Sequence, residues 1–100
     1  MARQQVALVT GASGGIGEAT ARRFAARGWA VVVAARSADK LAQIADEIER
    51  DGGVAFAVPA DVTVPEARAR LVEQTLARFG RVDALINNAG MAKEPNEQRL

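Results

Sequence analysis

Behind the apolar run Val6-Ala7-Leu8-Val9-Thr10, the residues Gly11, Gly15 and Gly17 stand in a G-x-x-x-G-x-G spacing, and with Gly14 the same stretch also reads G-x-x-G-x-x-G. Neither is the G-x-G-x-x-G of the common dinucleotide fingerprint. Glycines in such a turn let backbone N–H groups approach an anion that side chains would hold away. A helix that starts inside the turn aims its positive end and its unpaired first N–H groups at the same point. A pyrophosphate fits there.

Three other short stretches carry groups of the same kind. After the second apolar run, Trp29 to Ala35, the chain reads Ala34-Ala35-Arg36-Ser37, 18 or 19 residues beyond Gly17. An acidic residue at that place would hold both ribose hydroxyls of NAD. No carboxylate stands there. Arg36 offers a planar fork of donors suited to a phosphate, and Ser37 adds a hydroxyl, so NADP is the better fit. After a third apolar stretch, Asp61-Val62 could accept a hydrogen bond from an adenine amino group, while the same aspartate could cap the following helix. The two roles are compatible. After a fourth, Asn87-Asn88-Ala89-Gly90 brings two amides and a glycine together.

Four strands and three helices are needed to hold these stretches. Val6 to Val9 is a continuous apolar run, as expected of a parallel strand covered on both faces. The helix that follows spans about Ile16 to Arg27, with Ile16, Ala19, Thr20 and Phe24 on its inner stripe and Glu18, Arg22 and Arg23 toward water. Gly28 ends it. Trp29 to Ala35 is the second strand, and Ser37 is an N-cap candidate. Leu41, Ile44, Ala45 and Ile48 follow at i, i+3, i+4 and i+7, the strongest helical period in the chain. Gly52-Gly53 stops that helix. Val54, Phe56 and Val58 alternate as a third strand, ended by Pro59. Thr63 and Glu66 form a capping box for a third helix with Leu71, Val72, Thr75, Leu76 and Phe79 inward, closed by Gly80. Val82 to Ile86 is the fourth strand.

The order βαβαβαβ with short connections calls for a parallel sheet with right-handed crossovers. The fold class expected is α/β, a doubly wound, Rossmann-like parallel sheet truncated to about four strands in spatial order 3-2-1-4. Ligands of such sheets bind outside the carboxyl ends of the strands, where all four stretches lie. Residues 1–90 form the nucleotide-binding half-domain. Residues 91–100 are a polar tail without a clear period and stay unassigned.

Composition narrows the classes further. With 100 residues the chain makes one small domain, burying somewhat more than about 60 % of its unfolded surface. A hydrophobic fraction of 49 % and a charged fraction of 25 % are those of an ordinary soluble globular protein. Thirteen Lys+Arg against twelve Asp+Glu leave a net charge of +1 and no basic block, so no nucleic-acid footprint is present. The longest apolar run is too short to span a bilayer, no membrane partner is expected, and the cytoplasm is the expected compartment. Cysteine and histidine are both absent. Disulfides, thiolate catalysis, zinc chemistry and histidine acid/base work are closed to this chain, and no metal site is expected.

Asn87-Asn88-Ala89-Gly90 after the fourth strand, Thr10 to Gly17 after the first and Asp61-Val62 after the third together resemble the compact short-chain dehydrogenases/reductases, over residues 5 to 90. The glycines alone also fit the extended, epimerase-like branch of that superfamily. The Asn-Asn-Ala-Gly tetrapeptide favours the compact one. The resemblance implies that Gly11, Ser13, Gly14, Gly15, Ile16 and Gly17 line the pyrophosphate and that Arg36, with Ser37, takes the 2′-phosphate of NADP. It implies that Asp61 and Val62 hold the adenine, and that Asn87, Asn88, Ala89 and Gly90 approach the ribose and nicotinamide side. It further implies a small-molecule carbonyl or alcohol as substrate of the full-length parent, which would be a homo-oligomer.

One departure bears on activity. Members of the family use a Ser, a Tyr and a Lys in a Y-x-x-x-K arrangement, with an Asn on a preceding helix, and this chain has no tyrosine. Its serines are Ser13 and Ser37 and its lysines Lys40 and Lys93, none in that context. No catalytic residue is assigned. The expectation is the cofactor-binding half of an NADP(H)-dependent oxidoreductase, present as a fragment without the catalytic segment. The alternative is a non-catalytic module that binds a nucleotide or a partner.

Overall fold

A computed structural model describes residues 4–88 of the chain. Strands β1 (Val6–Thr10), β2 (Ala30–Ala35), β3 (Val54–Pro59) and β4 (Ala84–Asn87) alternate with helices α1 (Gly15–Ala26), α2 (Ala38–Arg50) and α3 (Pro65–Phe79). The strands form one sheet in the order β3-β2-β1-β4, and every pairing is parallel. The fold is the Rossmann-like α/β sheet that the sequence pattern calls for. Ala89, Gly90 and the polar tail lie outside the described residues.

Successive residues of a strand point to opposite faces, so each central strand feeds two cores. Ala7, Val9, Val31 and Val33 pack toward α1 and α2 with Ala21, Leu41, Ile44 and Ile48. Val6, Leu8, Ala30 and Val32 pack on the other face with Val58 and Leu71. Leu8, Leu41 and Ile44 are wholly withdrawn from water, and burying a side chain of that size contributes about 1.5–3 kcal/mol. All five residues of β1 are buried. It is the strand from which the glycine turn departs, so the turn springs from a fully buried strand.

Several sequence expectations shift in the structure, each for a local reason. The inner stripe of α1 runs through Gly17 and Ala21, while Ile16 is 70 % exposed and Ala19 faces solvent. The helix meets the turn after β1 so closely, Gly17 against the Gly11 carbonyl, that only a glycine fits at the contact, and Ile16 faces outward. β3 does not alternate between core and water: Val54, Phe56 and Val58 lie toward α3 and Ala55 and Ala57 toward α2, so both faces are covered. The capping box does not form. Pro65 takes the first position of α3 with Val64 as N-cap, and the Thr63 hydroxyl donates to Asp61 Oδ1 instead. Proline has a fixed φ and no N–H to satisfy, so it suits that first position. Ser37 stands at the N-cap of α2 but makes no side-chain cap bond. On α3, Ala67, Leu71 and Thr75 are buried, whereas Val72 and Leu76 are exposed.

β4 starts two residues later than the apolar pattern suggests. The carboxylate of Asp83 accepts the Val6 N–H at 2.8 Å, and the Arg81 guanidinium donates to both its oxygens at 2.8 and 2.6 Å. Residues 81–83 therefore brace the start of β1 before strand pairing begins at Ala84. Gly80 ends α3 in the left-handed region at φ 78°, where a residue without a Cβ is favoured.

Candidate nucleotide site at the strand ends

The carboxyl ends of the four strands form a row. Thr10, the last residue of β1, is in register with Ala34 of β2 on one side and Asn87 of β4 on the other. Ala35 is in turn in register with Pro59 of β3. The four stretches singled out by residue type thus leave the sheet side by side: Gly11 to Gly17, Arg36-Ser37, Asp61-Val62 and Asn87-Asn88.

The first turn is fixed at both ends. Gly11 has φ 63° and Gly15 φ 58°, left-handed conformations that disfavour other residues. The Ala12 N–H donates to the Ala34 carbonyl at 3.2 Å, pinning the turn to β2. A Cβ on Gly17 would collide with the Gly11 carbonyl, lying 2.7 Å from its carbon and 3.1 Å from the Cα of Ala12. Gly17 is therefore where the helix closes on the turn. A Cβ on Gly14 or Gly15 would meet nothing within 4 Å. The open side of the turn lies over these two glycines, at the N-terminus of a 12-residue helix whose dipole favours negative charge there. Ser13 is half-buried.

Arg36 and Ser37 are exposed directly after β2, and no carboxylate stands between residues 34 and 37. Asp61 and Val62 are half-buried after β3. Asp61 Oδ1 accepts from the Thr63 N–H at 3.0 Å and from its hydroxyl at 2.6 Å, so this carboxylate shapes its own loop. At the end of β4, Asn87 Oδ1 accepts from the Thr10 hydroxyl at 2.9 Å. Asn88 Nδ2 is buried without a hydrogen-bond partner among the described residues. Sequence reasoning missed two contributors. Thr10 ties two strand ends together, and its signal was its place at the end of a buried run. Arg68, whose guanidinium donates to the Val62 carbonyl at 2.7 Å, carries no sequence signal at all.

No group of acidic or histidine side chains among the described residues could hold a metal ion. The groups brought to the strand ends are open glycine backbone, a helix N-terminus, a guanidinium, two amides and a carboxylate. The model of the short chain dehydrogenase family matches residues 5–100. The chain belongs to that family. Among its relatives, an A-factor type gamma-butyrolactone 1′-reductase (1S-forming) of Streptomyces virginiae is 51 % identical over 83 residues, covering 83 % of this chain and 32 % of the relative. A 3-oxoacyl-[acyl-carrier-protein] reductase of Synechocystis is 47 % identical over 91 residues, covering 90 % of this chain and 37 % of the relative. A metagenomic short-chain oxidoreductase solved in complex with NADP superposes with a TM-score of 0.83 at 44 % identity, over 88 % of this chain and 40 % of that one. The chain spans about a third of the length of the short-chain dehydrogenases it matches.

Proposed function

We propose that the chain forms the cofactor-binding half, residues 1–90, of an NADP(H)-dependent oxidoreductase that interconverts a carbonyl and an alcohol. The observation that carries this reading is Arg36, exposed at the end of β2 in the same row as the open glycine turn, with no carboxylate among residues 34–37. A planar guanidinium matches a phosphate by shape and charge. The complex of a structural neighbour with NADP supports the same cofactor.

In this reading Gly11, Ser13, Gly14, Gly15, Ile16 and Gly17 make the pyrophosphate turn, with Gly14 and Gly15 leaving the space and Gly17 setting the helix. Arg36 and Ser37 take the 2′-phosphate. Asp61 and Val62 hold the adenine, and Asn87 and Asn88 face the ribose and nicotinamide. When bound, the cofactor supplies or accepts the hydride, and the protein's part is to orient it. The chain has neither tyrosine nor histidine, so no residue of these 100 is assigned to proton transfer. Calorimetric titration with NADPH, run beside an NADPH-oxidation assay on a panel of ketones, tests the proposal. Binding without turnover is expected. Absence of binding to the folded chain contradicts the cofactor assignment, and turnover contradicts the division of labour.

A further inference from the structure

The loop between β3 and α3 is held by more than a helix cap. α3 begins with Pro65, which has no N–H, and its N-cap residue Val64 makes no side-chain cap bond. Closure comes from two other directions. On one side Asp61 Oδ1 receives the Thr63 N–H and hydroxyl, and the Val64 N–H donates to the Asp61 carbonyl at 3.0 Å. On the other side Arg68, in the first turns of α3, sends Nη1 back to the Val62 carbonyl at 2.7 Å, while its own N–H donates to the Val64 carbonyl at 3.1 Å. Hydrogen bonds from a charged donor are shorter and stronger than neutral ones.

Arg68 is exposed, and its contact restrains the plane of the peptide between Val62 and Thr63. That peptide sets the direction of the Val62 side chain, which packs against the cluster containing Val58 and Leu71. It also sets the register of the Asp61 turn. We infer that Arg68 is a positioning residue for the adenine pocket, holding the 61–64 loop in its binding arrangement without itself meeting the nucleotide. The inference rests on the assignment of Asp61 and Val62 to adenine made above. Because the contact acts on the adenine end, it is independent of the 2′-phosphate and of the nicotinamide end.

The test titrates 5′-AMP and, separately, nicotinamide mononucleotide into the full 100-residue chain, following backbone amide shifts by NMR, with the native chain, Arg68→Ala and Arg68→Lys. In the native chain, 5′-AMP should move the Asp61, Val62 and Thr63 amides. Arg68→Ala should weaken 5′-AMP about 3- to 10-fold, the range for one lost hydrogen bond, and leave nicotinamide mononucleotide unchanged. Arg68→Lys, which keeps a charged donor, should recover most of the loss. If the native amides at 61–63 do not respond to 5′-AMP, the adenine assignment itself fails. If they respond and Arg68→Ala binds 5′-AMP as the native chain does, the assignment stands and the role of Arg68 is overturned. Equal weakening of both nucleotides, or an Arg68→Lys chain no better than Arg68→Ala, also overturns it.

Discussion

The hydroxyl of Thr10 donates to the side-chain oxygen of Asn87 at 2.9 Å, joining the last residue of β1 to the last residue of β4. Thr10 is buried. Replacing it with valine keeps the shape but removes the donor, leaving Asn87 without this bond. Asn87 is exposed and can turn to water, so the loss is that of one ordinary hydrogen bond, about 0.5–1.5 kcal/mol. Thr10→Val should lower the urea midpoint correspondingly with an unchanged slope, and an unaltered midpoint would mean that the contact contributes nothing.

The glycines of the turn separate into two kinds, which substitution should tell apart. Gly17→Ala forces a Cβ into the Gly11 carbonyl, and should strongly destabilise or unfold the chain. Gly14 is extended, at φ −179°, with open space before it. Gly14→Val should therefore fold, as circular dichroism would show, and lose nucleotide binding if the turn is the phosphate site. Gly15→Val is a less clean probe, because φ 58° adds about 1–3 kcal/mol of backbone strain to any steric block. A Gly14→Val chain that folds and binds NADPH normally would move the pyrophosphate elsewhere.

Acid sensitivity should trace in part to the contact between α1 and α2. Arg22 reaches Glu18 at 2.9 Å and Glu47 at 2.5 Å. The hydrogen bond from Arg22, helped by one from Gln43, holds the Glu47 carboxyl below the usual carboxylate range. A group whose pKa is lowered by folding stabilises fully above its unfolded value, and that stabilisation is lost as pH falls through the folded one. Between neutral pH and the acid side of the ordinary carboxylate range, Glu47→Gln should show a shallower fall of the urea midpoint than the native chain. Parallel pH profiles would rule the ion pair out as a contributor.

β4 is an edge among the described residues, and Leu85 on it is 62 % exposed. An unpaired apolar edge favours association. Sedimentation over a concentration series should show self-association of the 100-residue chain, reduced by Leu85→Lys. A monodisperse monomer throughout would contradict the exposed-edge argument.

How far the sequence could be read depended on which interactions carried each element. The order 3-2-1-4 and the inner face of α2 were legible, because Leu41, Ile44, Ala45 and Ile48 state a helical period and the central strands are plain apolar runs. The inner face of α1 was legible only in part, at Phe24, which packs against the core. It is set by the approach of Gly17 to Gly11, and a glycine that marks the tightest contact carries no hydrophobic signal. The start of α3 was misread because Thr63 prefers the Asp61 carboxylate when Pro65 is available to open the helix. At the site, the four strand ends were legible as positions, since topology alone brings them into a row. Their bracing by Thr10 and Arg68 depends on side chains meeting across 77 and six residues of chain, which no local pattern announces.

The most direct measurement is the affinity of the chain for NADP(H) against NAD(H), native and Arg36→Ala, under identical salt. A hydrogen bond to a charged group is worth about 1.5–3 kcal/mol, or roughly 10- to 150-fold. The native chain should prefer NADP(H) by a factor in that range, and Arg36→Ala should lose the preference by weakening NADP(H) while leaving NAD(H) nearly unchanged. Equal or tighter binding of NAD(H) by the native chain, or an NADP(H) affinity that ignores Arg36→Ala, would contradict the assignment of Arg36 to the 2′-phosphate.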